Sequence, residues 1–138
     1  MSGEAWYIDS SAVVKTVIEE AESSALATWL QDKDHLATCE LVQVEAVRAV
    51  RISDPAAVAR ARRVIGTLTL IRLDDDLYER AADLDPPFLR SLDAIHLAAA
   101  LSIGGDLAGI VTYDHRMAES ARALDFRVEA PGAEAGRA

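Results

Sequence analysis

The sequence predicts an α/β domain built on a parallel sheet with helices on both faces. Three observations carry that expectation. Short apolar runs of strand length alternate with longer segments of helical period, the pattern of repeated strand–helix units. The runs read as strands buried on both sides, as parallel strands are. At 138 residues, 51% hydrophobic and 27% charged, the chain has the size and composition of one globular domain with its own core.

The elements follow in order. Ala5-Trp6-Tyr7-Ile8 is a short buried strand ending at Asp9, and Ser10-Ser11 open a helix carrying Val13, Val14, Val17 and Ile18 at helical spacing. After a polar break at 19–23, a second helix sets Leu26, Trp29 and Leu30 on one side. His35-Leu36-Ala37-Thr38 reads as a second strand and 40–52 as a helix. Asp54-Pro55 starts another helix, with Asp54 as N-cap and Pro55 at the first helical position. Residues 69–73 are a third strand, and 74–84 a helix with acids in its first turn, where the macrodipole favours them. Asp85-Pro86-Pro87 breaks the chain before an Ala-rich helix over 92–103, closed by Gly104-Gly105. A strand over 109–113, a helix over 116–124 and a short last strand over 126–129 complete the domain. Residues 1–130 are expected to form the single domain, and 131–138, without apolar anchors, a disordered tail.

Composition narrows the function. The net charge of −9 excludes coating of nucleic acid by bulk attraction. That charge is unevenly spread: from Ala46 to Leu73 six arginines face only Asp54, a local +5, and the rest of the chain carries −14. The single cysteine, Cys39, excludes an internal disulfide framework and a cysteine-based zinc site, and is expected to be a small buried residue. No apolar run approaches the roughly 18 residues of a membrane span, so a cytoplasmic protein is expected. Trp6 and Trp29 are assigned to core or interface.

The informative residues are acids. Asp9 and Asp114 each end an apolar strand and precede a helix, which puts both at the carboxyl edge of a parallel sheet, where open α/β folds bind ligands. Helix capping is the alternative for each. Asp93 lies at the start of the Ala-rich helix, where Ser91 is a competing cap, and His96 three residues on is assigned to local packing or hydrogen bonding rather than ligation. Glu45 has Leu41, Val42 and Ala49 as helical neighbours, so burying its carboxylate requires compensation, by Arg48 or by a metal. Four carboxylates from four segments suggest one convergent pocket. Like charges so placed repel strongly, and hard divalent cations such as Mg²⁺ or Mn²⁺ resolve the repulsion. An all-carboxylate set points to phosphate-ester chemistry.

Four stretches resemble the motifs of PIN-domain ribonucleases of the VapC toxin type: Tyr7-Ile8-Asp9-Ser10-Ser11, Val44-Glu45-Ala46-Val47-Arg48, Arg90-Ser91-Leu92-Asp93-Ala94-Ile95-His96 and Val111-Thr112-Tyr113-Asp114. They stand in the family's order and spacing over residues 5 to 131. The resemblance implies a PIN-like three-layer α/β/α sandwich with a central, mostly parallel sheet of four to five short strands. It implies a metal site of Asp9, Glu45, Asp93 and Asp114 holding one or two Mg²⁺ or Mn²⁺ ions, with Thr112 as the site's hydroxyl residue, set to orient the Asp114 carboxylate or a bound water. It further implies an endoribonuclease toxin that hydrolyses RNA by a metal-activated water, inhibits translation and is neutralised by a VapB-type antitoxin. A homodimer is implied as well, with DNA contacted only through the antitoxin. His115-Arg116-Met117 departs from relatives that carry a further acid or amide after the last motif.

Glu40 is a poor fifth ligand, because five residues turn a helix by about 500°. It is assigned to the first-turn dipole. Ser10 is assigned to capping, and Arg48 and Arg90 are candidate RNA contacts. A haloacid-dehalogenase-type phosphatase would need an acid where Ser11 stands, and a receiver domain needs a Lys beyond Lys33 that the chain lacks. The remaining alternative is a catalytically inert PIN-like module that binds RNA or protein.

Overall fold

The computed structural model describes residues 3–133. Five strands, β1 (Ala5–Ile8), β2 (His35–Cys39), β3 (Thr69–Ile71), β4 (Leu107–Val111) and β5 (Val128–Glu129), form one sheet in the spatial order β3-β2-β1-β4-β5. Every neighbouring pair is parallel. The chain winds outward from β1 through β2 to β3, then crosses back to place β4 on the other flank of β1. The carboxyl ends of β1 and β4 therefore lie side by side, with Ile8 in register with Val111.

Helices cover both faces. Trp6 and Ile8 point to one side and pack with Val13 of α1 (Ser10–Val17), Leu26 of α2 (Ser23–Leu30), Val42 and Val47 of α3 (Val42–Ser53) and Ile65 of α4 (Val58–Ile65). Tyr7 points to the other and packs with Leu77 of α5 (Asp75–Ala82), Leu97 of α6 (Ser91–Leu101) and Met117 of α7 (His115–Ala123). Successive strand side chains alternate between faces, and both faces here are dry, so the unbroken apolar run of β1 is what its central position requires. Trp6 meets Trp29 edge-on at 4.7 Å, within the core. Among the described residues no helix is long and apolar enough to cross a membrane.

Several boundaries differ from those the sequence predicts, for local reasons. The third helix begins at Val42 rather than residue 40, because the Glu40 carboxylate accepts the Leu73 amide at 2.7 Å and ties the end of β2 to the end of β3. Glu40 is thus an inter-strand clamp, not a dipole partner. Asp54 caps as expected, accepting the Ala56 amide, but Pro55 opens a 3₁₀ turn before α4. β4 runs over Leu107–Val111 instead of 109–113, which alters the role of Thr112. The expected tail over 131–138 falls mostly on residues outside those described. Pro131 is buried, and its carbonyl accepts the Tyr113 hydroxyl at 2.7 Å.

Gly109 is where β4 passes closest to its surroundings: an added Cβ would stand 2.6 Å from the Arg127 carbonyl oxygen and 2.7 Å from the Trp6 ring. The backbone cannot yield without opening the β4–β5 pairing. Gly109→Ala should cost about 1–3 kcal/mol in urea unfolding. Gly105→Ala, whose Cβ meets nothing within 4 Å, serves as the near-neutral comparison.

Candidate active site

Asp9 ends β1 and is the deepest polar group at the carboxyl edge, only 4% exposed. Its carboxylate is held from three directions. Ser11 Oγ donates to Oδ1 at 2.6 Å, Thr112 Oγ1 donates to Oδ2 at 2.5 Å, and the Ala12 amide donates to Oδ1 at 3.2 Å. Asp9 is therefore the N-cap of α1 and the floor of the acidic site at once, since one carboxylate has acceptor positions for both roles. Burial pushes its pKa above the usual aspartate value, against the pull of the Ser11 and Thr112 hydroxyls.

Thr112 departs from its expected role. Because β4 ends at Val111, residues 112 and 114 do not share a strand face, and the Thr112 hydroxyl orients Asp9 rather than the Asp114 carboxylate. It also accepts the Asp114 amide at 3.1 Å, coupling the two strand ends. Ser11 Oγ accepts the Tyr113 amide at 2.9 Å, which adds a second tie between the segments that follow β1 and β4.

Glu45, in the first turn of α3, is half-buried, and Arg48 is not its partner. Ser10 Oγ donates to its Oε1 at 2.7 Å, and His96 Nε2 lies 2.7 Å from the same oxygen. Ser10 is therefore no cap, since Asp9 holds that position. His96 is 3% exposed, and its other ring nitrogen lies 2.7 Å from the Tyr7 hydroxyl and 3.8 Å from Cys39 Sγ. Burial disfavours a charged imidazole, but the Cys39 and Glu45 contacts outweigh it and raise the His96 pKa to about 10. A cationic His96 donates at both nitrogens. Burial works to raise the Glu45 pKa, yet the His96 and Ser10 hydrogen bonds bring it below the ordinary glutamate value. Both nitrogens of His96 are engaged in hydrogen bonds, and its partners are distant in sequence rather than local.

Asp93 lies in the first turn of α6 without capping it; the cap position is Arg90, whose side chain makes no cap hydrogen bond. Burial and the neighbouring Asp114 charge raise the Asp93 pKa. Asp114 is exposed and caps α7 through the Arg116 and Met117 amides. Neither Asp93 nor Asp114 makes an ion pair with a described residue. The four acids thus grade from a buried, fully clamped Asp9 through Glu45 and Asp93 to an exposed Asp114.

The donor set fits a hydrated hard cation better than a closed metal shell. Among the described residues no three His, Cys, Asp or Glu side chains stand close enough to enclose an ion. Mg²⁺ commonly takes only one or two carboxylates directly and keeps its waters. A carboxylate buried as Asp9 is, with no cationic partner in contact, is the kind of group such a charge offsets.

A parallel sheet covered by helices on both faces, with Asp9 and Asp114 at two adjacent strand ends, defines the class of open α/β folds that bind ligands at the carboxyl edge. The PIN domain family model matches residues 6–123, and the chain belongs to that family. Its curated relatives include the ribonuclease VapC35 of Mycobacterium tuberculosis, 42% identical over 130 residues (91% of this chain and 96% of the relative). The ribonucleases VapC47 and VapC46 of the same species are each 40% identical, over 132 and 125 residues, covering 92% and 91% of this chain and 97% and 96% of themselves. Among solved structures, M. tuberculosis VapC20, described as a sarcin–ricin-loop-cleaving toxin, superposes with a TM-score of 0.74 at 16% identity, covering 92% of this chain and 100% of its own. At 40–42% identity over nine-tenths of its length, the chain groups with the VapC-named members of the PIN family.

Asp9 sets a pH signature in the metal-free protein. Its folded-state pKa lies above the unfolded value, so its contribution to stability is complete at acid pH and is lost as pH rises through the folded pKa. Asp9→Asn keeps the shape without the charge. In the presence of EDTA it should melt a few degrees above the parent at neutral pH, and that gap should shrink toward pH 4 in calorimetric scans.

Proposed function

We propose that the chain is a divalent-metal-dependent endoribonuclease toxin whose site is Asp9, Glu45, Asp93 and Asp114, with Thr112 as a positioning residue. The observation that carries this reading is Asp9, a buried carboxylate clamped by Ser11, Thr112 and the Ala12 amide at the carboxyl edge. Three further acids from separate elements stand around that edge. One or two Mg²⁺ or Mn²⁺ ions, bound directly or through water, would supply charge stabilisation at the phosphoryl oxygens and activation of the attacking water.

The chain's residues do the positioning. Thr112 and Ser11 fix both oxygens of Asp9, so its orientation is set before any ligand arrives. His96 and Ser10 saturate Oε1 of Glu45 and leave Oε2 without a partner among the described residues. The His96 cation offsets part of the negative charge gathered at the edge. Asp93 and Asp114 are more open to solvent than Asp9 and so accessible to an RNA phosphodiester.

The VapC kinship supports a VapB-type antitoxin as partner in the cytoplasm, a homodimer, and contact with operator DNA only through that antitoxin. A groove of about 850 Å³ bounded by α1, α2 and Arg60 has mixed apolar and charged walls, which suit an amphipathic peptide segment.

Cleavage of single-stranded RNA should require Mg²⁺ or Mn²⁺ and stop in EDTA. Asp9→Asn and Asp93→Asn should each lower the rate by more than about 100-fold, and Ser10→Ala by about 10- to 100-fold through the orientation of Glu45. Mg²⁺ titration by calorimetry should give site-dependent heat with the parent and none with Asp9→Asn. Metal-independent cleavage, or full activity of Asp9→Asn, would sink the assignment.

A further inference from the structure

A second feature adjoins the acidic edge. The segment linking α5 to α6 and the outer face of α7 enclose a pocket of about 400 Å³, a size suited to a small ligand. Asp93 forms one wall, so the pocket opens directly beside the candidate active site. Phe88 lines it while remaining 84% exposed, which leaves the ring open to a ligand. Arg90 and Arg116 line it from the two sides, and neither makes an ion pair with any described residue. The first turn of α6 opens nearby with no side-chain cap, so its amides are also free of a side-chain acceptor. Glu119 and Ser120 of α7 complete the polar rim.

We infer that this pocket is the subsite for one nucleotide of single-stranded RNA flanking the cleaved phosphate, with Phe88 stacking on the base and Arg90 and Arg116 holding the adjoining phosphate. The inference rests on the ribonuclease reading and deepens it. Charge complementarity selects the occupant. Two guanidiniums held in no ion pair, though Asp93 and Glu119 share the pocket with them, stand beside an uncapped helix start and match a phosphate, and bidentate guanidinium–phosphate contacts are geometrically favoured. An exposed aromatic face suits any base, since stacking is tolerant of sequence. Glu119 and Ser120 add discrimination, because a carboxylate accepts from an exocyclic amine of the base. An acidic pocket wall would repel a free anion at Asp93, so the phosphate sits toward the arginines and the chain continues past Asp93 into the acidic edge.

The test is fluorescence anisotropy of labelled single-stranded RNA in EDTA, where no cleavage occurs, combined with steady-state cleavage in Mg²⁺. Phe88→Ala should weaken RNA binding by about 5- to 100-fold, the usual range for one stacked base, and Phe88→Trp should retain it. Emission from the introduced tryptophan should be quenched as RNA binds. Arg90→Gln and Arg116→Gln should each reduce the salt dependence of binding by about one phosphate contact. RNA binding by Phe88→Ala equal to the parent would overturn the subsite and leave the ribonuclease reading intact. Unchanged RNA binding with a smaller sedimenting species would assign the ring to self-association instead. Absence of both RNA binding and cleavage in the parent would overturn the ribonuclease reading, and the subsite with it.

Discussion

The structure depends on holding one carboxylate where water cannot reach it. Asp9 sits at the end of the central strand, and an isolated ionised carboxylate in such a place is prohibitively costly unless donors surround it. The fold supplies them from both chain segments that meet there. Ser11 and the Ala12 amide come from the helix that Asp9 itself starts, and Thr112 comes from the far end of the chain. Only the crossover that brings β4 beside β1, with Ile8 opposite Val111, makes the Thr112 contact possible. The sheet order and the acidic site are therefore one constraint: any register slip between β1 and β4 would strip Asp9 of a donor.

The same logic explains the second layer of the site. Tyr7 alternates with Asp9's neighbours along β1 and points into the α6 face, where its hydroxyl meets His96. His96 in turn reaches across to Glu45 on α3. A chain of hydrogen bonds thus runs from β1 through α6 to α3, joining the two faces of the sheet around its carboxyl edge. Such networks gain strength in a low-dielectric interior and penalise partial satisfaction, so they fix side-chain orientation more tightly than packing alone. Asp9 and Glu45 are both oriented by side chains that themselves belong to the network or to the helix starts beside it.

Much of this was legible in the sequence, and the limits have physical causes. The strand β1 and the apolar centre of β4 declare themselves because doubly buried strands are apolar throughout, and Asp9 and Asp114 stand out because a carboxylate after such a run must be either a cap or a ligand. Here each is a cap, and the sequence had no means of showing that capping and membership of the acidic edge coexist. The observed β4 lies two residues earlier than expected: Thr112 and Tyr113 have good strand propensity, but the strand ends at Val111 and the Thr112 hydroxyl turns to Asp9. Glu40 and Ser10 were assigned to helix ends since their actual partners, Leu73 and Glu45, are 33 and 35 residues away. His96 was the least readable residue, with all three of its side-chain partners brought in by tertiary structure.

The distribution of charge decides how so acidic a chain could meet a polyanion. Both lysines are committed within the protein, Lys15 to Glu20 and Glu22 and Lys33 to Asp32. The arginines divide differently. Arg60 is tied to the Val17 carbonyl, Arg80 to Asp76 and Arg127 to Glu129. By contrast, Arg48, Arg51 and Arg62 line an open groove of about 530 Å³ on the α3–α4 side and pair with no described acid, and Arg90 and Arg116 are equally uncommitted beside Asp93. Guanidinium holds its charge at any physiological pH and meets phosphate bidentately, so a few such groups give local attraction that a net charge of −9 does not reveal. Exposed charges farther off than about a Debye length (roughly 8 Å at physiological salt) are screened. A phosphate near that surface would therefore respond to the nearby arginines rather than to the sum over the chain, and four of the 23 acids in that sum lie where divalent cations would offset them.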